Sequence, residues 1–249
     1  MTTSKLPQLA SGRWRRVVSP WLLAVAGGGL DATVLLGFNV LTAAQTGNTV
    51  LLAVALARGD AIGGTGSALS VLAFVLGAAL GALILGWTAR RAAPLLPVVL
   101  AETALLLGLF GLWSGAKPLD REETLAVIAL AALAMGLQSA LALHLRGPGT
   151  TYMTGTLAAF STGLVEWLQA PGRASGRASS SGPGSPSPTP PPWRNGLAWV
   201  LYLCSAIGSG VLFLHFDVLA LLVPAGALGV VVLLQLGAGA ASQQADSAP

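Results

Sequence analysis

Long apolar segments constrain this chain more than any other feature of its sequence. Six segments carry very few charges, and they cover residues 20–38, 68–88, 94–114, 124–143, 196–214 and 218–236. A helix that crosses a bilayer needs about 20 mostly apolar residues. Only 9% of the 249 residues are charged, whereas soluble domains carry about 25%. We therefore expect an all-α integral membrane protein in which about six transmembrane helices contact the lipid bilayer.

Basic residues predict the location and orientation of the chain. The lead at residues 1–19 is basic and polar, and cytoplasmic loops are enriched in Lys and Arg. We expect a multi-pass protein of the inner membrane with a cytoplasmic N-terminus. Its first helix stays uncleaved, because the apolar run contains Asp31 and lacks a small-residue cleavage site. The remaining basic residues are scattered rather than arranged in a stripe, so we expect no nucleic-acid partner.

An internal repeat organises the rest of the chain. Gly29-Leu30-Asp31 matches Gly136-Leu137-Gln138, and Thr46-Gly47-Asn48 matches Thr154-Gly155-Thr156 at nearly the same distance downstream. We expect a first membrane repeat at residues 20–114 and a second at residues 124–236. A Pro/Ser/Gly-rich segment at residues 171–195 interrupts the second repeat as a disordered linker, and residues 237–249 form a disordered tail.

The direction of the second repeat depends on the number of crossings. If the short helices after Gly47 and Gly155 do not cross, the chain has six spans and the repeats are inverted. If both cross, it has eight. Either topology places ten of the 13 basic residues inside, so the positive-inside rule does not decide between them. We favour six crossings, because Asp60, Asp120, Glu122 and Glu123 then all face outside.

Both polar breaks have the pattern of a helix that starts inside the membrane. Each precedes a short apolar helical stretch, about half a membrane thickness long. Thr or Asn can cap a first turn, and Gly permits a sharp bend. The free N–H groups and the positive dipole end of such a helix bind carboxylates and other anions. The candidate solute-binding residues are Thr46, Gly47, Asn48, Thr154, Gly155 and Thr156; the other interpretation is two helix caps at the membrane surface.

Ionisable and amide side chains inside the spans add further candidates. A carboxylate at a helix centre costs about 2.5–3.5 kcal/mol to insert, so it usually has a partner or a task. Asp31 and Glu102 are therefore candidate coupling residues, and Asp31 is also a candidate solute ligand. Its other interpretation is a structural hydrogen bond to the second repeat's break. Gln138 is the neutral counterpart of Asp31, and Arg146 either neutralises a bound anion or lies at the interface.

Two further features concern packing and chemistry. Gly77 and Gly81 form a GxxxG pattern that lets helices approach closely; we expect packing within the bundle first, and an oligomer through this face as the other option. The sequence contains no catalytic or nucleotide-binding signature, and Cys204 is its single cysteine. We therefore expect no enzyme activity, no metal and no cofactor.

The residues around the two breaks resemble one family. The stretches "GGGLDATVLLGFNVLTAAQTGNTVLLAVAL" and "MGLQSALALHLRGPGTTYMTGTLAAF" are similar to the YoaK-like, or DUF1275, family of bacterial membrane proteins. The likeness covers residues 20–170, while the last two spans agree in layout. The resemblance implies a bacterial inner-membrane protein with about six helices and supplies no substrate.

The leading hypothesis is a small secondary transporter or permease for a small solute, including an anionic one, bound at the two broken segments. The alternative is a scaffold, sensor or assembly factor in which the same polar groups only hold helices together. An intramembrane enzyme ranks third.

Overall fold

The structure is a computed structural model that describes residues 5–91, 93–115, 118–145, 149, 151, 153–173 and 191–246. These residues form helices joined by turns, and the described part of the chain contains no strand. The helices are α1 (Lys5–Phe38), α2 (Gln45–Ala57), α3 (Ala61–Thr88), α4 (Leu96–Trp113), α5 (Arg121–Leu145), α6 (Met153–Arg173), α7 (Trp193–Phe216), a 3-10 turn (Asp217–Leu221) and α8 (Leu222–Asp246). The all-α fold class predicted from the sequence is therefore confirmed.

Five stretches of the described helices are long and apolar enough to cross a membrane. They are Val18–Phe38, Ala61–Thr88, Leu96–Trp113, Arg121–Leu145 and Trp193–Gly237. The last stretch contains α7, the 3-10 turn and most of α8. The 13-residue helix α2 is apolar but shorter.

Several helices extend beyond the segments that hydropathy delimits. Helix α3 begins at Ala61 rather than at residue 68, because the Asp60 carboxylate caps its first turn and accepts a hydrogen bond from the Gly63 N–H at 2.7 Å. The basic lead belongs to α1 from Lys5 onward. Helices α6 and α7 reach into both ends of the predicted linker, whose residues 174–190 lie outside the described part, and α8 continues through residues 237–246 of the predicted tail.

Helices α1 and α7 run parallel and cross at small residues. Trp21, near the start of the apolar part of α1, meets Trp193, the first residue of α7, with ring centroids 5.8 Å apart. Further along, a Cβ added to Gly28 would lie 2.3 Å from the Tyr202 carbonyl oxygen. The backbones approach this closely because Gly28 has no side chain. Helix α8 packs against α1 as well, and we call α1, α7 and α8 the α1 bundle.

Helices α3 and α5 form a second parallel crossing. A Cβ on Gly77 would lie 2.1 Å from the Leu133 carbonyl oxygen, and one on Gly136 would lie 2.2 Å from that of Phe74. Gly81 packs against Ala140 in the same interface. The predicted GxxxG face is thus covered by α5 of the same chain. Helix α4 also packs against α5, and we call α3, α4 and α5 the α5 bundle.

Aromatic contacts fix the direction of one bundle against the other. The ring of Trp113, at the end of α4, lies 4.6 Å from that of Phe38 at the end of α1 and 5.6 Å from that of Phe213 near the end of α7. Helix α4 therefore runs in the direction of α1. Helices α4 and α5 pack against each other and are joined by only seven residues, 114–120, so they are antiparallel. Helices α1 and α5 therefore run in opposite directions. The two bundles meet where α1 contacts α5 and where α4 contacts α8.

Candidate functional site

The first polar break is a loop that folds back into the bundle after α1. Asn39 ends α1 with a φ of 55°, a left-handed conformation that Asn tolerates better than most residues. Val40 is then buried at 6% exposure, and Thr42 is fully buried. Helix α2 starts at Gln45, so the Thr46-Gly47-Asn48 motif forms its first turn rather than preceding it.

Asp31 accepts four hydrogen bonds, three of them from this loop. Its Oδ1 accepts from the Thr42 N–H at 2.7 Å, the Thr42 hydroxyl at 2.8 Å and the Ala43 N–H at 2.8 Å. Its Oδ2 accepts from the Tyr202 hydroxyl at 2.7 Å. The carboxylate is 3% exposed, and four donors compensate its burial. The donors that the first break directs toward α1 are thus occupied by the side chain of Asp31.

Asn48 fastens the start of α2 to the same loop. Its side-chain amide pairs with both backbone groups of Leu41: it accepts from the N–H at 3.0 Å and donates to the carbonyl at 2.6 Å. It also lies 2.9 Å from the Ser70 hydroxyl on α3, which donates to the same carbonyl. Gln45 donates to the Thr42 carbonyl at 2.7 Å. Ala44, the N-cap residue of α2, makes no capping hydrogen bond with its side chain. Asn48 therefore links α2 to the loop and to α3 rather than acting as the predicted cap.

Helix lengths place the first break at depth in the bundle. Asp31 lies seven residues before the end of α1, which is about 10 Å at 1.5 Å per residue. Ser70 lies nine residues after the start of α3, or roughly 13 Å. The polar residues therefore lie well inside the helical layer. The loop after α1 therefore returns to the level of Asp31 rather than staying at the end of the helix.

The second break has a similar local structure. The Thr156 hydroxyl donates to the Gly149 carbonyl at 2.9 Å, seven residues back, as the Asn48 amide does to Leu41. The Thr151 hydroxyl lies 3.1 Å from that of Ser139. Thr154 is exposed and Gly155 half-buried in the first turn of α6. Helix α6 has 21 residues, which makes it longer than the predicted half-membrane element.

The two breaks lie in different surroundings. Helix α2 packs against α3, and α6 packs against α7. The short helices that the two motifs begin therefore have different neighbours. Arg146 lies outside the described residues.

Two buried polar side chains lie on the helices through which the bundles meet. Glu102 is completely buried on the face of α4 that also carries Val98 and Leu106, and neither of its carboxyl oxygens has a hydrogen-bond partner in the described part of the chain. Gln138 is also completely buried. Its Nε2 donates to the Leu23 carbonyl of α1 at 2.9 Å, while its Oε1 has no partner among the described residues.

Other candidate sites are poorer in polar groups. An open groove of about 450 Å³ lies between α3 and α5, lined mostly by small apolar residues with His144 at its rim. Over the residues that the structure describes, no group of three or more His, Cys, Asp or Glu side chains is placed to hold a metal ion.

The family comparison covers both breaks and the buried groups. The family described as "Protein of unknown function (DUF1275)" matches residues 20–234. The chain belongs to the DUF1275 family. The match extends the sequence resemblance through α7 and into α8 of this DUF1275 protein. No curated protein and no solved structure gives a significant match.

Sequence reasoning missed three residues that complete the site of this DUF1275 protein. Tyr202 binds Asp31 from a position 171 residues away, and Ser70 and Thr42 complete the two networks of the first break. A polar residue in an apolar segment was the available signal for Ser70 and Tyr202. Their pairing depends on the α1–α7 and α2–α3 contacts, which no local pattern reveals.

Proposed function

We propose that this protein is a small inner-membrane permease built from two inverted repeats, and that movement between its bundles carries a small solute. The observation that carries the proposal is the opposite direction of α1 and α5. These helices bear the matching Gly29-Leu30-Asp31 and Gly136-Leu137-Gln138 motifs. Inverted repeats with interrupted segments at matching positions are a recurrent architecture of secondary transporters.

The packing order supports the repeat. In a four-helix repeat, α1 to α4 correspond to α5 to α8. Helix α1 then packs against the counterparts of α3 and α4, and α5 packs against α3 and α4 themselves. Small residues mediate both crossings: Gly29 faces Ser205 and Ser209, and Gly136 faces the α3 backbone beside Gly77. In this arrangement the first helix of each repeat packs against the last two helices of the other repeat.

The bundle interface supports movement. Buried polar groups are ordinarily paired, and each unpaired one requires an explanation. Glu102 and Gln138 hold three unpaired buried atoms on α4 and α5, the helices of the α5 bundle that contact the α1 bundle. A second conformation in which the bundles separate to admit water or solute would satisfy these atoms. Rocking of one bundle against the other is the alternating-access motion of inverted-repeat transporters.

The proposed topology has six crossings and a cytoplasmic N-terminus. Helices α1, α3, α4, α5, α7 and α8 cross, and α2 and α6 do not. The parallel direction of α3 and α5 and the shared end of α1, α4 and α7 support this arrangement. The ten basic residues of the cytoplasmic side then include Arg90 and Arg91.

The alternative of a scaffold, sensor or assembly factor also has an observation in its favour. Asp31 and Asn48, predicted as solute ligands, are engaged with the protein's own loop. An external anion at the first break would have to displace the Asp31 carboxylate. We therefore propose the bundle interface, rather than this break, as the path of the solute.

Cysteine accessibility tests the proposal without knowledge of the substrate. Gln138→Cys, on a Cys204→Ser background, places a thiol at the bundle interface. We expect a small membrane-impermeant thiosulfonate to label it, because the permease conformations expose this interface to water. Ala73→Cys is the matched control: Ala73 is buried on α3 within one bundle, and we expect labelling at least tenfold slower. Equal, negligible labelling at both positions, with reagent on either side of the membrane, would favour the scaffold.

A further inference from the structure

Glu102 is the buried titratable group that the bundle geometry leaves without a partner. Both of its oxygens are inaccessible and accept no hydrogen bond from a described residue. By contrast, Asp31, the other acid in the core, has four donors. The two acidic side chains of the core thus have opposite environments: four donors surround the carboxyl group of Asp31, and no described residue donates to that of Glu102.

The elements around Glu102 offer no countercharge. Helix α3 contains no titratable residue, and the only one in α8 is Asp246 at its last position. Arg121, Glu122 and Glu123 lie in the first turn of α5, beside the far end of α4. The remaining groups on the neighbouring elements, His144 of α5 and Asp217 of the 3-10 turn, are exposed. Asp31 of α1 is already hydrogen-bonded.

The surroundings of Glu102 determine which ligand its carboxyl group accepts. Along α4, Glu102 shares its buried face with Val98, Val99 and Leu106. A metal cation such as Na⁺ would need several further oxygen ligands in place of its hydration shell, and these aliphatic neighbours offer none. An isolated ionised carboxylate in such a setting costs far more than its neutral form. A proton neutralises the group without any other ligand.

We propose that Glu102 is a proton-binding site, protonated while the two bundles are closed and exchanging its proton with water when α4 separates from α8. In the open state the carboxyl group transfers its proton to a water molecule, which leaves a hydrated carboxylate; closure requires the reverse transfer. Proton coupling through this cycle rests on the proposed permease function. The protonation state itself does not.

Infrared spectroscopy of the protein reconstituted in lipid tests the site. We expect wild type at neutral pH to show the C=O stretching band of a protonated carboxyl group. Glu102→Gln, which keeps the side-chain shape, should lose this band completely. Glu166→Gln, on the exposed surface of α6, should retain it. The wild-type band should also fall as the pH is raised, and Glu102→Asp should shift it rather than remove it.

The outcomes separate the proton site from the permease. A wild-type spectrum without a band that Glu102→Gln removes would overturn the proposal, because Glu102 would then be ionised. A band that Glu102→Gln removes but that no pH change affects would also overturn it, because the proton would be fixed. A titrating Glu102 band together with an unlabelled Gln138→Cys supports the proton site and rejects the permease.

Discussion

Replacing Asp31 with Ala is expected to produce a large loss of stability. The change leaves the buried Thr42 and Ala43 N–H groups without the carboxylate that accepts their hydrogen bonds. It also removes the acceptor of the Tyr202 hydroxyl. Each buried donor left unsatisfied costs about 1–3 kcal/mol. We expect a total of about 3–5 kcal/mol, which lowers the apparent melting temperature in detergent by roughly 6–20 °C.

Two variants separate the parts of this effect. Tyr202→Phe removes one donor and should cost about 1 kcal/mol. Glu166→Ala removes an exposed acid and should leave the melting curve unchanged. Asp31→Asn keeps one acceptor oxygen and should fall between wild type and Asp31→Ala. If Asp31→Ala has the same melting temperature as wild type, the carboxylate does not stabilise the loop, and a role in solute binding becomes the better explanation.

The second large effect is expected at the α3–α5 crossing. A methyl group at Gly77 would lie 2.1 Å from the Leu133 carbonyl oxygen, well inside van der Waals contact, and a backbone oxygen cannot rotate away. Gly77→Ala therefore forces the two helices apart along their whole interface. Overpacking of this kind costs about 1–3 kcal/mol, and we expect the upper end of that range. The measurements are the apparent melting temperature and the yield of monodisperse protein.

Gly86→Ala is the matched control for this prediction. Gly86 lies on the same helix, and a Cβ there would meet nothing within 4 Å. Ala favours a helix over Gly by about 1 kcal/mol, so this variant should equal or exceed wild type in stability. Equal behaviour of Gly77→Ala and Gly86→Ala would show that the crossing is looser than described.

The sequence predicted the elements of this protein better than their partners. Apolar length locates the long helices because a bilayer sets a minimum span, and the polar motifs mark the starts of α2 and α6 correctly. Apolar length misplaced the start of α3, because residues 61–67 are rich in Gly and small polar residues. Only the Asp60 cap signals a helix there.

The candidate site shows where sequence reasoning ends. A buried acid in a span predicts a partner or a task, and Asp31 has a partner while Glu102 has none in the described part of the chain. The local sequence pattern does not distinguish Asp31 from Glu102, because each is an acidic residue within an apolar segment. What separates them is the fold-back of residues 39–44 onto α1 and the arrival of Tyr202 on α7, and both are tertiary contacts. The packing of α2 against α3 and of α6 against α7 is tertiary information of the same kind.

The inverted direction of the two repeats is the claim on which the proposed function depends, and its most direct test is the side of the membrane that each connection faces. Single cysteines on the Cys204→Ser background at exposed positions Arg58, Arg91, Asp120 and Pro191 are labelled with an impermeant maleimide in intact and in permeabilised cells. We predict labelling of Arg58→Cys and Asp120→Cys in intact cells, and of Arg91→Cys and Pro191→Cys only after permeabilisation. Arg58 and Pro191 precede the counterpart helices α3 and α7, so labelling of both from the same side would mean parallel repeats and would contradict the account.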